Sequence, residues 1–182
     1  SGVTTMQMDA GVDTGDMIMK TEIPLEAAET GGSLHDKLQQ AGAELCVKTL
    51  KALEDQTAAF EKQGETPTPY AGMLRKKMGD IDWQERGEVI ERLIRGLNPW
   101  PSAYTHWEGK VMKIWQAEVD AADTDQKPGT VTEVRKDGFL VQTGKGQLIV
   151  KALQIPGKKR MDAGAFLRGY QMETGTVLKG GC

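Results

Sequence analysis

The chain has two cysteines, Cys46 and Cys182, and two histidines, His35 and His106, among 182 residues. So few thiols exclude a disulfide framework and make a reducing, cytoplasmic setting the default. Cys46 falls within a helical apolar pattern and is expected in the core. Cys182 follows Gly180-Gly181 and is expected to be frayed or exposed. No apolar run approaches the ~18 residues a bilayer span requires, so no membrane is expected. Ser1–Met8 lacks the basic start and long apolar stretch of a secretory signal. The chain opens without Met, and its first residues already read as a strand, so an excised piece of a longer protein is expected. At 38% hydrophobic and 27% charged, the composition excludes general disorder.

The net charge of -3 hides an asymmetry. Residues 1–79 carry -4, whereas residues 126–182 hold 10 Lys+Arg against 4 Asp+Glu, an excess of +6. A basic final third is the electrostatic mark of a polyanion partner, though a solvated mixed surface explains it equally well.

Alternation and β-branching predict strands at 2–8 and 17–23. Between them, Asp9 to Asp16 packs two glycines and three aspartates into a tight loop, whose repulsion calls for donors or cations nearby. Ser33 reads as a helix N-cap, with Asp36 completing a short-armed capping box. The helix runs to about Leu53, with Leu34, Leu38, Ala41, Leu45 and Ala52 near one face and Val47 and Leu50 beside it. Prolines and glycines break the pattern over 63–80, leaving a linker with a helical turn at 71–78 that carries Arg75-Lys76-Lys77. A second helix spans 84–97, capped by Asp82 and stopped by Asn98-Pro-Trp-Pro101. Short strands follow at 103–108, 110–119, 128–134, 138–143 and 147–155, with hairpins at Lys136-Asp-Gly138 and Gly144-Lys-Gly146. A closing helix at 162–168 takes Asp162 as its cap. The predicted class is α+β: residues 1–63 end an α/β domain, 64–80 link, and 81–182 form a small barrel. An oligonucleotide-binding (OB-like) barrel is the first candidate, and an SH3-like barrel fits the strand count nearly as well.

On residues alone, the acidic loop reads as a capped turn, a catalytic loop or a cation site. Its spacing is not that of a helix-loop-helix calcium loop and no Glu closes it, so no metal is expected. Lys151, Lys158, Lys159 and Arg160, with Arg75, Lys76 and Lys77, are candidates for neutralising phosphates. Trp83 and Trp100 are expected to anchor packing at the domain junction, and Trp107 and Trp115 to lie in the core. Any of the four could instead stack on bases.

Two stretches together resemble the methionyl-tRNA formyltransferases of the folate-dependent formyltransferase superfamily. They are Gly2 to Met17, with its Asp-Thr-Gly-Asp loop, and Asn98-Pro-Trp-Pro101, preceded by Ile81-Asp-Trp83. Pro-Gly-Thr130 and Gly157-Lys-Lys-Arg-Met161 resemble that family's C-terminal domain. The resemblance covers essentially the whole chain and implies the C-terminal half of such an enzyme. It implies Asp13 as the catalytic carboxylate, pterin contacts around Asp9, Val12 and Asp13, and 10-formyltetrahydrofolate as formyl donor. It further implies initiator methionyl-tRNA as partner, with the basic C-terminal region and linker giving auxiliary RNA contacts, and a monomeric intact enzyme. The family's Asn and His lie on upstream strands, and neither His35 nor His106 matches, so this chain alone is expected to be inactive. Two alternatives stand: a formyltransferase or folate hydrolase acting on a small molecule such as a sugar nucleotide, and a non-enzymatic nucleic-acid-binding barrel.

Overall fold

The computed structural model describes residues 1–65 and 71–180, so Cys182 and part of the predicted linker lie outside the described residues. Two units emerge, Ser1–Gly72 and Met73–Cys182, their boundary falling within the predicted linker.

In the first unit, β1 (Gly2–Met6) and β2 (Met17–Glu22) form an antiparallel pair from Gly2↔Glu22 to Met6↔Met17, irregular after Thr5. The chain near Glu61 extends this edge, exchanging two backbone hydrogen bonds of 2.8 and 2.9 Å with Met17. Helix α1 (Gly31–Glu54) packs on the pair through Leu45, Thr49 and Ala52, and the Thr5 and Thr49 hydroxyls share a 2.8 Å hydrogen bond. Its N-cap is Thr30, one turn before the expected Ser33. Thr30 Oγ1 accepts from Ser33 N and Thr30 N donates to Ser33 Oγ, so Ser33 closes the capping box from inside the helix and Asp36 has no part in it. Cys46, Val47 and Leu50 are exposed, not part of a core. They sit off the 3.6-residue stripe that Leu45, Thr49 and Ala52 keep.

The second unit is built on one antiparallel sheet in the order β3-β4-β7-β6-β5, with β8 paired to β7. The strands are β3 (Ala103–Trp107), β4 (Lys110–Asp120), β5 (Val131–Arg135), β6 (Gly138–Gln142), β7 (Gln147–Gln154) and β8 (Met161–Asp162). The two-residue β8 is too short for any periodic signal. No ladder joins β3 to β5 among the described residues, so the sheet is open where a closed barrel was expected. The last segment instead bridges singly to both ends, Lys179 to His106 and Val177 to Thr130. Gly129 makes this approach possible: it has φ +88, and a Cβ there would come within 2.6 Å of Leu178 O.

Helix α2 (Gly87–Gly96) packs on β4 and β7, and α3 (Ala163–Gly169) on β6, β7 and β8. Helix α2 starts three residues later than its sequence pattern suggests. The preceding residues pair with the β6–β7 turn, Gly144 N donating to Glu85 O (2.9 Å) and Gly87 N to Lys145 O (3.0 Å). Asp82 accepts from Gln84 N in a local turn and does not cap the helix. The core joins Ile81, Trp83, Ile90 and Ile94 to the inward residues of the strands and to Phe139 and Phe166. Trp107 meets Phe166 edge-on at 5.2 Å, and Phe166 stacks on Tyr170 at 4.9 Å. Trp83 is buried and its indole donates to Thr105 Oγ1 (3.0 Å), which donates to Lys179 O (2.9 Å). Trp100, expected as a packing anchor, is 57% exposed.

Candidate functional site

The β1–β2 loop turns on hydrogen bonds that its own sequence supplies. Asp9 Oδ1 accepts from Thr14 Oγ1 (2.6 Å) and Gly11 N (2.9 Å), and these two bonds hold the Asp9 carboxyl below its ordinary range. Gly15 is buried, and a Cβ on it would overlap Gln7 O at 1.6 Å, so only glycine fits there. From the far end of the unit, Gln63 Nε2 donates to Asp13 O and Gly15 O, both at 2.8 Å.

The loop therefore divides its three carboxylates by task. Asp9 is spent on bracing the turn. Asp13 takes a left-handed φ of 56°, a conformation Asp tolerates better than most residues, and its side chain is exposed. Its carboxylate has no hydrogen-bond partner among the described residues, leaving it open to a reacting group. Asp16 is half-buried, and its backbone carbonyl accepts from Gln7 N (2.8 Å). Val12 projects to solvent at 74% exposure. Among the described residues no group of three His, Cys, Asp or Glu gathers as a metal would require.

His35 is exposed on α1 beside Asp36, and His106 lies on β3 with Nδ1 3.3 Å from Lys179 O. Among the described residues, His35 makes no hydrogen bond to the loop of its own unit.

The predicted basic residues fall into distinct settings. Arg75, Lys76 and Lys77 are exposed around a short 3-10 turn at Lys76–Gly79, inside the second unit. Lys158, Lys159 and Arg160 are exposed on the turn between β7 and β8, with no carboxylate in ion-pair range among the described residues. Lys151 differs, because its ammonium donates to Asp137 (2.9 Å) and lies 3.9 Å from Glu118. That hydrogen bond holds the Asp137 carboxyl below its ordinary range, so Lys151 is already neutralised within the protein.

Trp115, expected in the core with base stacking as the alternative, is half-exposed on β4. Lys113 Nζ lies 5.6 Å and Arg160 Cζ 5.5 Å from its ring centroid. The signal was available in the sequence: 113 and 115 share a face of the strand by alternation, opposite buried Met112 and Ile114.

The chain is similar to known proteins along most of its length. Residues 73–171 match the family model "Formyl transferase, C-terminal domain", and residues 1–50 match "Formyl transferase". The chain belongs to the formyl transferase family. A methionyl-tRNA formyltransferase of Agathobacter rectalis is 52% identical over 178 residues, taking in 98% of this chain and 57% of that protein. One from Lachnospira eligens is 49% identical, over 98% of the chain and 58% of the relative. The chain thus spans somewhat over half the length of these curated relatives. Among solved structures, HypX from Aquifex aeolicus in complex with tetrahydrofolic acid matches 97% of this chain and 34% of its own, with TM-score 0.64 at 18% identity. An N-formyltransferase from Helicobacter canadensis, solved with folinic acid and dTDP-3-aminofucose, matches 82% and 54% with TM-score 0.62 at 18% identity. At that identity the likeness is one of fold.

Proposed function

We propose that this chain is the C-terminal part of a methionyl-tRNA formyltransferase, a cytoplasmic enzyme of translation initiation. The reaction moves a formyl group from 10-formyltetrahydrofolate to the amino group of methionine on initiator tRNA. The observation that carries this reading is the similarity to methionyl-tRNA formyltransferases along 98% of the chain, through both units. A sugar-nucleotide substrate is favoured only by structural neighbours at 18% identity.

In this reading the folate supplies the activated one-carbon unit, and the chain supplies Asp13. The attacking amine must shed a proton as the new C–N bond forms, and an exposed carboxylate with no internal partner can accept it directly or through water. The segment Asp9–Asp13 is exposed and Val12 projects from it, so it can line the folate's pterin while Asp9 keeps the turn in shape. The family's other catalytic groups belong to upstream strands, so the chain alone does not catalyse transfer.

The second unit is the RNA-side domain. We assign it to the OB-like class on its antiparallel order β3-β4-β7-β6-β5, in which a crossover sets β4 beside β7, and on the terminal segment that bridges both sheet ends. The exposed cations at 158–160 and 75–77 give it phosphate affinity that reads little sequence.

The test is a chimaera in which this chain replaces the matching segment of the Agathobacter rectalis relative. It is expected to formylate initiator methionyl-tRNA, and Asp13→Asn, which keeps the left-handed turn, to lose about 100-fold or more in rate. Full activity in that variant would remove Asp13 from the chemistry, and an inactive but folded parent chimaera would overturn the functional reading.

A further inference from the structure

The surroundings of Trp115 form a built arrangement. Its indole Nε1 donates to Gln154 Oε1 at 3.3 Å, and Gln154 Nε2 donates to Lys158 O at 2.8 Å. Asn98 Nδ2 donates to the Trp115 carbonyl at 3.3 Å. The register between β4 and β7 shifts on either side of Gln116, which re-aims the outward side chain beside it. One glutamine thus ties the aromatic ring on β4 to the backbone of the basic turn after β7.

Lys113 and Arg160 are set apart by the aromatic ring they share, and they are not among the cations of the unit that a carboxylate holds. Arg135 is held by Glu133, Arg95 by Glu91 and Lys151 by Asp137, so each is cancelled internally. Lys113, Lys158, Lys159 and Arg160 have no carboxylate in ion-pair range among the described residues. An aromatic face orients a cation without neutralising it. Two cations gathered on one ring beside two further lysines repel one another, and an anion entering between them relieves that repulsion.

We propose that Trp115 is the positioning residue of an RNA-phosphate contact, in which its ring, braced by Gln154, holds Arg160 and Lys113 as uncancelled donors beside Lys158 and Lys159. This rests on the tRNA reading above and adds to it a residue that carries no charge. Arg160 suits the role because its planar fork can lie against the ring and still present N–H groups to a phosphate.

Because Trp115 contributes orientation and no charge, its removal has a signature distinct from removing a cation. Binding of the chain to initiator tRNA is measured across a salt series for wild type, Trp115→Ala, Trp115→Phe, Gln154→Leu and Arg160→Ala, with circular dichroism confirming each fold. Trp115→Ala is expected to weaken binding ~3- to 10-fold with an unchanged salt slope. Trp115→Phe recovers most of that loss, and Gln154→Leu, which cuts the brace but spares the ring, reproduces part of it. Arg160→Ala lowers the slope by about 1. Wild-type affinity in Trp115→Ala and Gln154→Leu, alongside a weakened Arg160→Ala, overturns the positioning role and leaves the tRNA reading intact. No binding by the wild-type chain at low salt overturns both. An equal loss toward polyglutamate would mean the surface serves an acidic protein partner and not RNA.

Discussion

The two units bury their chains to different depths. In the first, the buried apolar side chains among the described residues are Leu45 and Ala52, while Val47, Leu50, Leu53 and Phe60 of the same unit are exposed. In the second, one continuous apolar cluster runs from Ile81 to Leu178. Stability follows from apolar area removed from water. The second unit therefore holds the means of folding by itself, and the first relies on backbone pairing, caps and loop hydrogen bonds. The candidate sites divide likewise. The carboxylate site sits on a lightly packed hairpin braced by Asp9 and Gln63, and the cationic site on β4 and the turn after β7, beside the larger core.

Phe139→Ala is the strongest way to break this comparison. Phe139 is fully buried on β6, and its truncation is expected to cost the second unit ~3–5 kcal/mol in a denaturant melt. Hydrogen exchange over β6 and β7 should speed up with that substitution, and unchanged protection there would contradict the weight given to this core. Trp83→Phe is the next in size. It removes the donor to Thr105 within the core, at an expected ~1–3 kcal/mol in the same melt. In the first unit the expected effects are smaller and local. Thr30→Ala removes the capping box of α1 and should fray its first turn by ~1 kcal/mol, read as faster amide exchange near residue 33.

The same helix start carries the chain's clearest acid sensitivity. The hydrogen bond from Lys37, followed by that from Ser33, holds the Glu29 carboxyl from its ordinary 4.5 down to about 2. A carboxyl depressed by folding contributes stability that is complete above 4.5 and fades as pH falls toward 2. Helicity of α1 should therefore drop over that window in the wild type and more weakly in Lys37→Met, whereas the second unit's core should hold its shape.

Much of this architecture was legible because local patterns and tertiary packing agree. Both strands of the first unit, the long helix and all five longer strands of the sheet fall within a few residues of their predicted bounds. The misses have physical causes. Ser33 looks like a cap but Thr30 precedes it with the same chemistry, and either end of a reciprocal pair can supply it. Helix α2 starts late because its first residues are recruited by the Gly144–Gly146 turn, a non-local pairing that period cannot reveal. Cys46 and Trp100 read as buried on residue type, and their exposure depends on which face or loop the neighbours leave open. For the sites, Asp13 was reached through the family resemblance as much as through the acidic loop. Trp115 was assigned to the core because a tryptophan on a strand usually packs, and the register shift beside it is invisible in sequence.

If the second unit holds RNA through uncancelled cations, the salt dependence of initiator tRNA binding must show it, and no other measurement tests the point so directly. Each cation withdrawn from a phosphate lowers the slope of log affinity against log salt by ~0.7–0.9. Steep salt dependence in the wild-type chain, with a slope shallower by about 2 to 3 in the Lys158/Lys159/Arg160→Ala triple variant, is the predicted result. An unchanged slope in that variant, or no binding at low salt, would contradict it.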